Sequence, residues 1–140
     1  MGDFQVLKAV RGYLLNEEVA SRVHLTLPPK ALYPLILVEL EEIWSPYPLK
    51  GSQQRKAIQA RVRFKVSIFS QSHGMEEAAL LSHKVRESLE GANICLPETF
   101  LGNKFATLRF LSCVAEQAGK SSGDQRTNAI HHFYDSIIRG

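Results

Sequence analysis

Between Lys56 and Ser70 the sequence keeps a strict period of two. Ile58, Ala60, Val62, Phe64, Val66 and Ile68 fall on one side, and Ala57, Gln59, Arg61, Arg63, Lys65 and Ser67 on the other. Only extended backbone sends successive side chains to opposite faces. A strand apolar on one face and wet on the other belongs to an antiparallel sheet covered on one side. The next segment changes period. In MEEAALLSHKVRESLEG, Ala78, Leu81, Val85 and Leu89 form a helical stripe. Glu76 and Glu77 open the helix, Lys84 and Arg86 follow, and Gly91 suits the position just past its end. A strand feeding a helix at this length restricts the chain to layered folds in which one sheet face is packed and the other is not.

The remaining elements fit that frame. Phe4, Leu7, Val10, Leu14 and Leu15 predict an amphipathic helix over residues 3–16, with Asp3 available as its cap. Arg22 to Leu27 alternates as a short strand, stopped by Pro28 and Pro29. LILVELEEIW from Leu35 reads as a longer strand with Ile36, Val38 and Leu40 on one face and Leu37, Glu39 and Glu41 on the other. SPYPLKGSQQ then forms a surface loop. After the turn-like Gly102-Asn103, FATLRFLSCVAE predicts a strand whose faces are less distinct, QAGKSSGDQRTN a flexible connection, and AIHHFYDSII a closing strand. The expected architecture is a single α+β domain over residues 1–140. Its core is a mainly antiparallel sheet of four to five strands with two helices packed on one face. Arg61, Arg63 and Lys65 would then lie on the opposite face.

Composition agrees. With 140 residues the chain can bury roughly 70% of its unfolded surface, so no staple is required. Hydrophobic residues at 44% and charged residues at 22% argue against disorder. The amino terminus lacks the apolar run of a signal peptide, and nowhere do enough apolar residues follow one another to make a membrane helix. Cys95 and Cys113 have apolar neighbours and no metal-type spacing, so buried reduced thiols are expected, with a disulfide or reactive thiol as the alternative.

Chemistry-bearing motifs are absent. No GxSxG, GxGxxG or GxxxxGK[ST] occurs, and Gly119-Lys120-Ser121-Ser122-Gly123 lacks the spacing and the following helix of a phosphate loop. His131 and His132 are adjacent on a strand, point to opposite faces and cannot share a metal. No catalytic, metal or cofactor site is therefore expected, and no enzymatic activity. The basic run Lys50, Arg55, Lys56, Arg61, Arg63, Lys65 offers one alternative, a small nucleic-acid-binding module. Against it, Phe64 falls on the apolar face, away from any stacking role, and Glu39 and Glu41 on the preceding strand can pair with the cations.

The order of elements also carries a resemblance. RVHLTLPPKALYPLILVEL, VSIFSQSHGMEEAALLSHKVRESLEG and SGDQRTNAIHHFYDSII together resemble the tail-completion or tail-terminator proteins of long-tailed phages and gene transfer agents. The most telling piece is Phe69-Ser70 followed by Gly74, Glu77 and Ala78, where such proteins end a strand with an aromatic and Ser, turn, and begin a helix. Pro34 and Gly123-Asp124 match less specifically. Leu35 stands where many relatives have an aromatic, and the strand from Lys56 is unusually basic. The resemblance implies a non-enzymatic structural protein of the virion tail, assembled in the bacterial host cytoplasm. It would cap the tail tube and join it to the head-proximal connector as a ring of copies, commonly six. Its partners would be itself, the tube protein and the connector protein, with no membrane, and with DNA only passing through the ring. Trp44, Tyr47, Arg61, Arg63, Lys65, Lys120, Asp124 and Arg126 are the candidate interface residues, and loops 45–56 and 115–128 the candidate contacts with tube or connector.

Overall fold

The computed structural model describes residues 2–20, 22–44, 60–71, 75–99, 102–116 and 127–139. Tyr47, Lys120, Asp124, Arg126 and nearly all of the two candidate contact loops lie outside them. Helix α1 spans Gly2–Asn16. Strands β1 (Val23–His24), β2 (Leu35–Trp44) and β3 (Ala60–Ser70) follow, then helix α2 (Glu76–Leu89) and strands β4 (Asn93–Thr99), β5 (Gly102–Glu116) and β6 (Asn128–Arg139). The class is α+β as expected, but the sheet has six strands, in the order β1-β2-β3-β6-β5-β4. The additional strand is β4, which the sequence reading passed over. The sheet is mixed because β1 runs parallel to β2, through Val23 opposite Ile36 and His24 opposite Leu37. All other neighbours are antiparallel. The expected strand at residues 22–27 shrinks to those two positions.

Helix α2 explains the topology. It leaves the end of β3, crosses the sheet over β6 and β5, and delivers the chain to β4 at the far edge. Two hairpin connections then bring β6 back beside β3. Both ends of α2 are pinned. The Ser70 hydroxyl at the end of β3 donates to Glu77 Oε1 at 2.6 Å in its first turn. At the other end Gly91 adopts φ +76°, a left-handed conformation that glycine takes without steric cost. Its amide donates to Leu108 O at 3.2 Å, and the Leu108 amide to Ala92 O at 2.9 Å, so the helix exit is tied to β5.

Both helices bury their apolar stripes on one face of the sheet, as the sequence predicted. Val6, Leu7, Val10 and Leu14 of α1 and Ala78, Val85 and Leu89 of α2 share one core with Ile36, Val38, Val62, Phe64, Val66, Ile68, Leu108, Ile130 and Tyr134. Asp3 falls inside α1 rather than preceding it. Helix α1 packs on β1, β2 and β4 at once. Strands spaced about 4.8 Å apart put β2 and β4 about 19 Å from each other in a flat sheet, more than a helix about 10 Å across can touch. The sheet therefore curls around α1, with the helices on its concave side.

Besides a register shift in β4 between Leu96 and Thr99, irregularities in β2 and β5 set which side chains reach which face. Leu40 pairs with Phe64 and Glu42 with Arg63, so Glu41 is an extra residue in β2. Phe110 pairs with Tyr134 and Ser112 with Phe133, so Leu111 is an extra residue in β5. Such bulges flip the downstream alternation. Beyond Glu41 it is Glu42, not Glu41, that joins the cations on the helix-free face. Beyond Leu111, Ser112 leaves the face of Ala106, Leu108 and Phe110, which accounts for the blurred pattern of this strand in the sequence.

Candidate functional site

The helix-free face collects the charged residues singled out in the sequence. Register places Glu42, Arg63, Asp135 and Arg109 in one row across β2, β3, β6 and β5. Glu39, Lys65 and Phe133 form the row beside it, and Trp44, Arg61 and Ile137 the row on the other side. Signs alternate along the first row, so each charge meets its opposite. Arg63 Nη1 lies 3.6 Å from Glu42 Oε1, and Lys65 Nζ lies 3.5 Å from Glu39 Oε1. The expected pairing of the strand cations with β2 acids is present, with Glu42 in the place foreseen for Glu41.

Asp135 is the centre of this face, and sequence reasoning missed it. Arg109 grips it with both arms of the guanidinium, Nε donating to Oδ1 at 3.3 Å and Nη2 to Oδ2 at 3.0 Å. Arg61 Nε approaches Oδ2 at 3.8 Å. The carboxylate is 2% exposed although no described helix covers this side, because the two arginines close over it. The hydrogen bond to Asp135, and then its charge, raise the Arg109 guanidinium above its already high value. Removing the carboxylate leaves both arginines free to turn into water, so the loss is the charge-assisted bonds less the returned desolvation. Asp135→Ala is expected to cost about 2 kcal/mol in urea unfolding, and Asp135→Asn less, since the amide keeps the shape and an acceptor.

A second polar chain on the same face has the composition of a hydrolase triad. Ser67 Oγ lies 2.7 Å from His131 Nδ1, and His131 Nε2 lies 3.2 Å from Glu116 Oε1. Its surroundings do not suit acyl transfer. Ser67 is fully buried, sits in mid-strand, and is paired with Leu37 on one side and His131 on the other. A nucleophile needs an exposed oxygen and nearby amides aimed at the developing oxyanion. The chain acts as a brace between β3, β5 and β6.

His132 faces the opposite way, as adjacent strand residues must, and enters the core under α2. Its Nε2 is 2.6 Å from Ser82 Oγ of α2, and its Nδ1 is 3.2 Å from the Tyr134 hydroxyl. A neutral imidazole satisfies both contacts, donating through one nitrogen and accepting through the other. Burial, then Arg86 and His131, push its pKa down to about 4. Burial likewise holds the Tyr134 hydroxyl protonated well above the usual tyrosine range. Phe64 stacks on Tyr134 at 5.5 Å, Phe110 meets the His132 and Tyr134 rings edge-on, and the Arg86 guanidinium lies 4.0 Å from the centre of the Phe110 ring.

Cys95 and Cys113, expected to be buried, are both exposed, and neither forms a disulfide. Cys95 sits on the helix-free side of the edge strand β4, and Cys113 lies past the bulge of β5. Among the described residues no group of three or more His, Cys, Asp or Glu is placed to hold a metal, and no helix is long and apolar enough to cross a membrane. Of the candidate interface residues, Arg61, Arg63 and Lys65 share one face, and Trp44 ends β2 opposite Arg61.

No protein-family model matches the sequence, and no curated protein matches it. Among solved structures the chain is similar to one from the virion of a native gene transfer agent particle, with a TM-score of 0.67 and 22% sequence identity. The match covers 99% of this chain and 96% of the other. What the two chains share, from end to end, is the fold.

Proposed function

We propose that this chain is a structural virion protein of the tail-terminator kind. Copies assemble into a ring that caps the tail tube and joins it to the head-proximal connector. The observation that carries this reading is the end-to-end likeness to a gene transfer agent virion chain. The tail-terminator resemblance of the sequence supplies the finer assignment. Ser70, part of its most telling motif, has a defined task in holding α2 to β3.

The face chemistry fits a protein contact better than a nucleic-acid one. A DNA-binding face leaves its cations free to replace counterions along the phosphates. Here Arg61, Arg63, Lys65 and Arg109 each face a carboxylate within 4 Å. The test is to delete the gene from the particle that encodes it and examine the products by electron microscopy. Unjoined heads and uncapped tubes are expected, restored by the chain supplied in trans. Normal joined particles would refute the assignment.

A further inference from the structure

Among the described residues, one stretch of β2 and one of β5 lack a neighbouring strand on one side, and the two are complementary. Strand β1 pairs with β2 only at Ile36 and Leu37, so Val38–Trp44 has β3 on one side and no described strand on the other. Strand β4 pairs with β5 up to Thr107, and Leu108 bonds to Ala92 and Gly91. From Arg109 to Glu116, β5 has β6 on one side and no described strand on the other. The open part of β5 stands clear of the body, with Ser112, Cys113, Val114, Ala115 and Glu116 all exposed. On β2, Leu40, Glu41 and Glu42 are exposed.

Direction and charge both match across these two edges. Strands β2, β3, β6 and β5 alternate in direction, so β5 of one copy beside β2 of the next continues the antiparallel order. The charged row ends in an acid, Glu42, at the β2 edge and in a base, Arg109, at the β5 edge. A second copy placed edge to edge carries the alternation of sign across the joint. Glu41, lifted out of the ladder by its bulge, adds a further carboxylate on the acidic side. Like edges repel or mismatch: β2 against β2 sets Glu39, Glu41 and Glu42 against themselves.

We propose that the open stretch of β5 docks against the open stretch of β2 of a second copy, giving the head-to-tail contact from which the ring is built. This inference rests on the ring reading above. A contact between two different patches is the kind that closes into a ring rather than stopping at a dimer. The bulges and the three glutamates also blunt each edge against unrelated strands, which keeps an unassembled chain from pairing indiscriminately.

The test uses the native thiol on β5. Leu40 and Cys113 both lie on the helix side of the sheet, at facing edges of adjacent copies. In a Cys95→Ser background, Leu40→Cys is treated with a short bifunctional maleimide at ring-forming concentration, and native mass spectrometry records the oligomer separately. A ladder of covalent oligomers up to the ring size is expected, absent in Leu40→Cys with Cys113→Ser. Glu41→Lys with Glu42→Lys is expected to weaken ring formation about tenfold, an effect that grows at low salt. A ring that forms without the ladder and ignores the charge reversal overturns this interface and leaves the ring reading intact. Cross-linking of Cys113 to Cys113 alone also overturns it, since that joins like edges. A chain that forms no ring, alone or on its tube, overturns both.

Discussion

Phe64→Ala is expected to cost about 4 kcal/mol and to lower the melting temperature by on the order of 15 °C. Phe64 is fully buried at the centre of β3, between β2 and β6, and its ring stacks on Tyr134 at 5.5 Å. Central strands in a close-packed core cannot collapse onto the gap, because the strands on either side hold them in place. Tyr134 would lose its stacking partner while its hydroxyl still needs the His132 contact. Against a total stability of about 5–15 kcal/mol, the truncation leaves the fold marginal. Phe64→Leu keeps most of the volume and is expected to cost about a third as much. Chemical denaturation of the two variants side by side checks the ratio. Equal midpoints for Phe64→Ala and the parent chain would mean that Phe64 is not at the centre of the core.

The second large effect is one of pH. His132 is held neutral in the folded chain down to about pH 4, whereas an unfolded histidine takes up its proton near pH 6.5. As pH falls between these values the unfolded state binds the proton first, so stability drops through that window and levels off below it. The expected loss is about 3 kcal/mol. The group that protonates lies where α2 meets β6, through Ser82, so α2 is the element that loosens first. Urea midpoints measured at intervals from pH 7 to pH 4 read the slope. His132→Gln removes the titrating group while retaining a donor and an acceptor, and is expected to flatten the curve above pH 5, where few carboxylates titrate. A parallel slope in that variant would assign the acid sensitivity elsewhere.

Elements with an unbroken period were legible in the sequence. Strand β3 and helix α2 carry one repeat each from end to end, and local propensity, capping and dipole complementarity agree. Strand β4 was not legible. It is an edge strand with Pro97 inside it, and its place comes from α2 delivering the chain to the free side of β5. The bulges were equally hidden, since one additional residue in LILVELEEIW or FATLRFLSCVAE changes no local propensity. It only shifts which later residues face which way. That single displacement turned Glu41 into Glu42 as the partner of Arg63. Asp135 escaped for a third reason. A lone acid on a strand reads as a solvated residue, and its burial follows from arginines on β3 and β5, which become its neighbours only once β6 lies between those strands. The thiols show the converse error. Apolar neighbours in sequence suggested burial, but Cys113 follows a bulge on the uncovered end of β5.

The bulges of β2 and β5 flank the row formed by Leu40, Phe64, Tyr134 and Phe110, and this has a bearing on how the chain can change length. Deleting one residue from an ordinary strand turns everything beyond it inside out. Deleting Glu41 or Leu111 does the reverse, because the residues on either side of each already face as a regular strand would have them face. These are the positions in β2 and β5 at which a lineage can lose a residue and keep both faces of the sheet. Related chains one residue shorter in either strand are expected to carry the gap there.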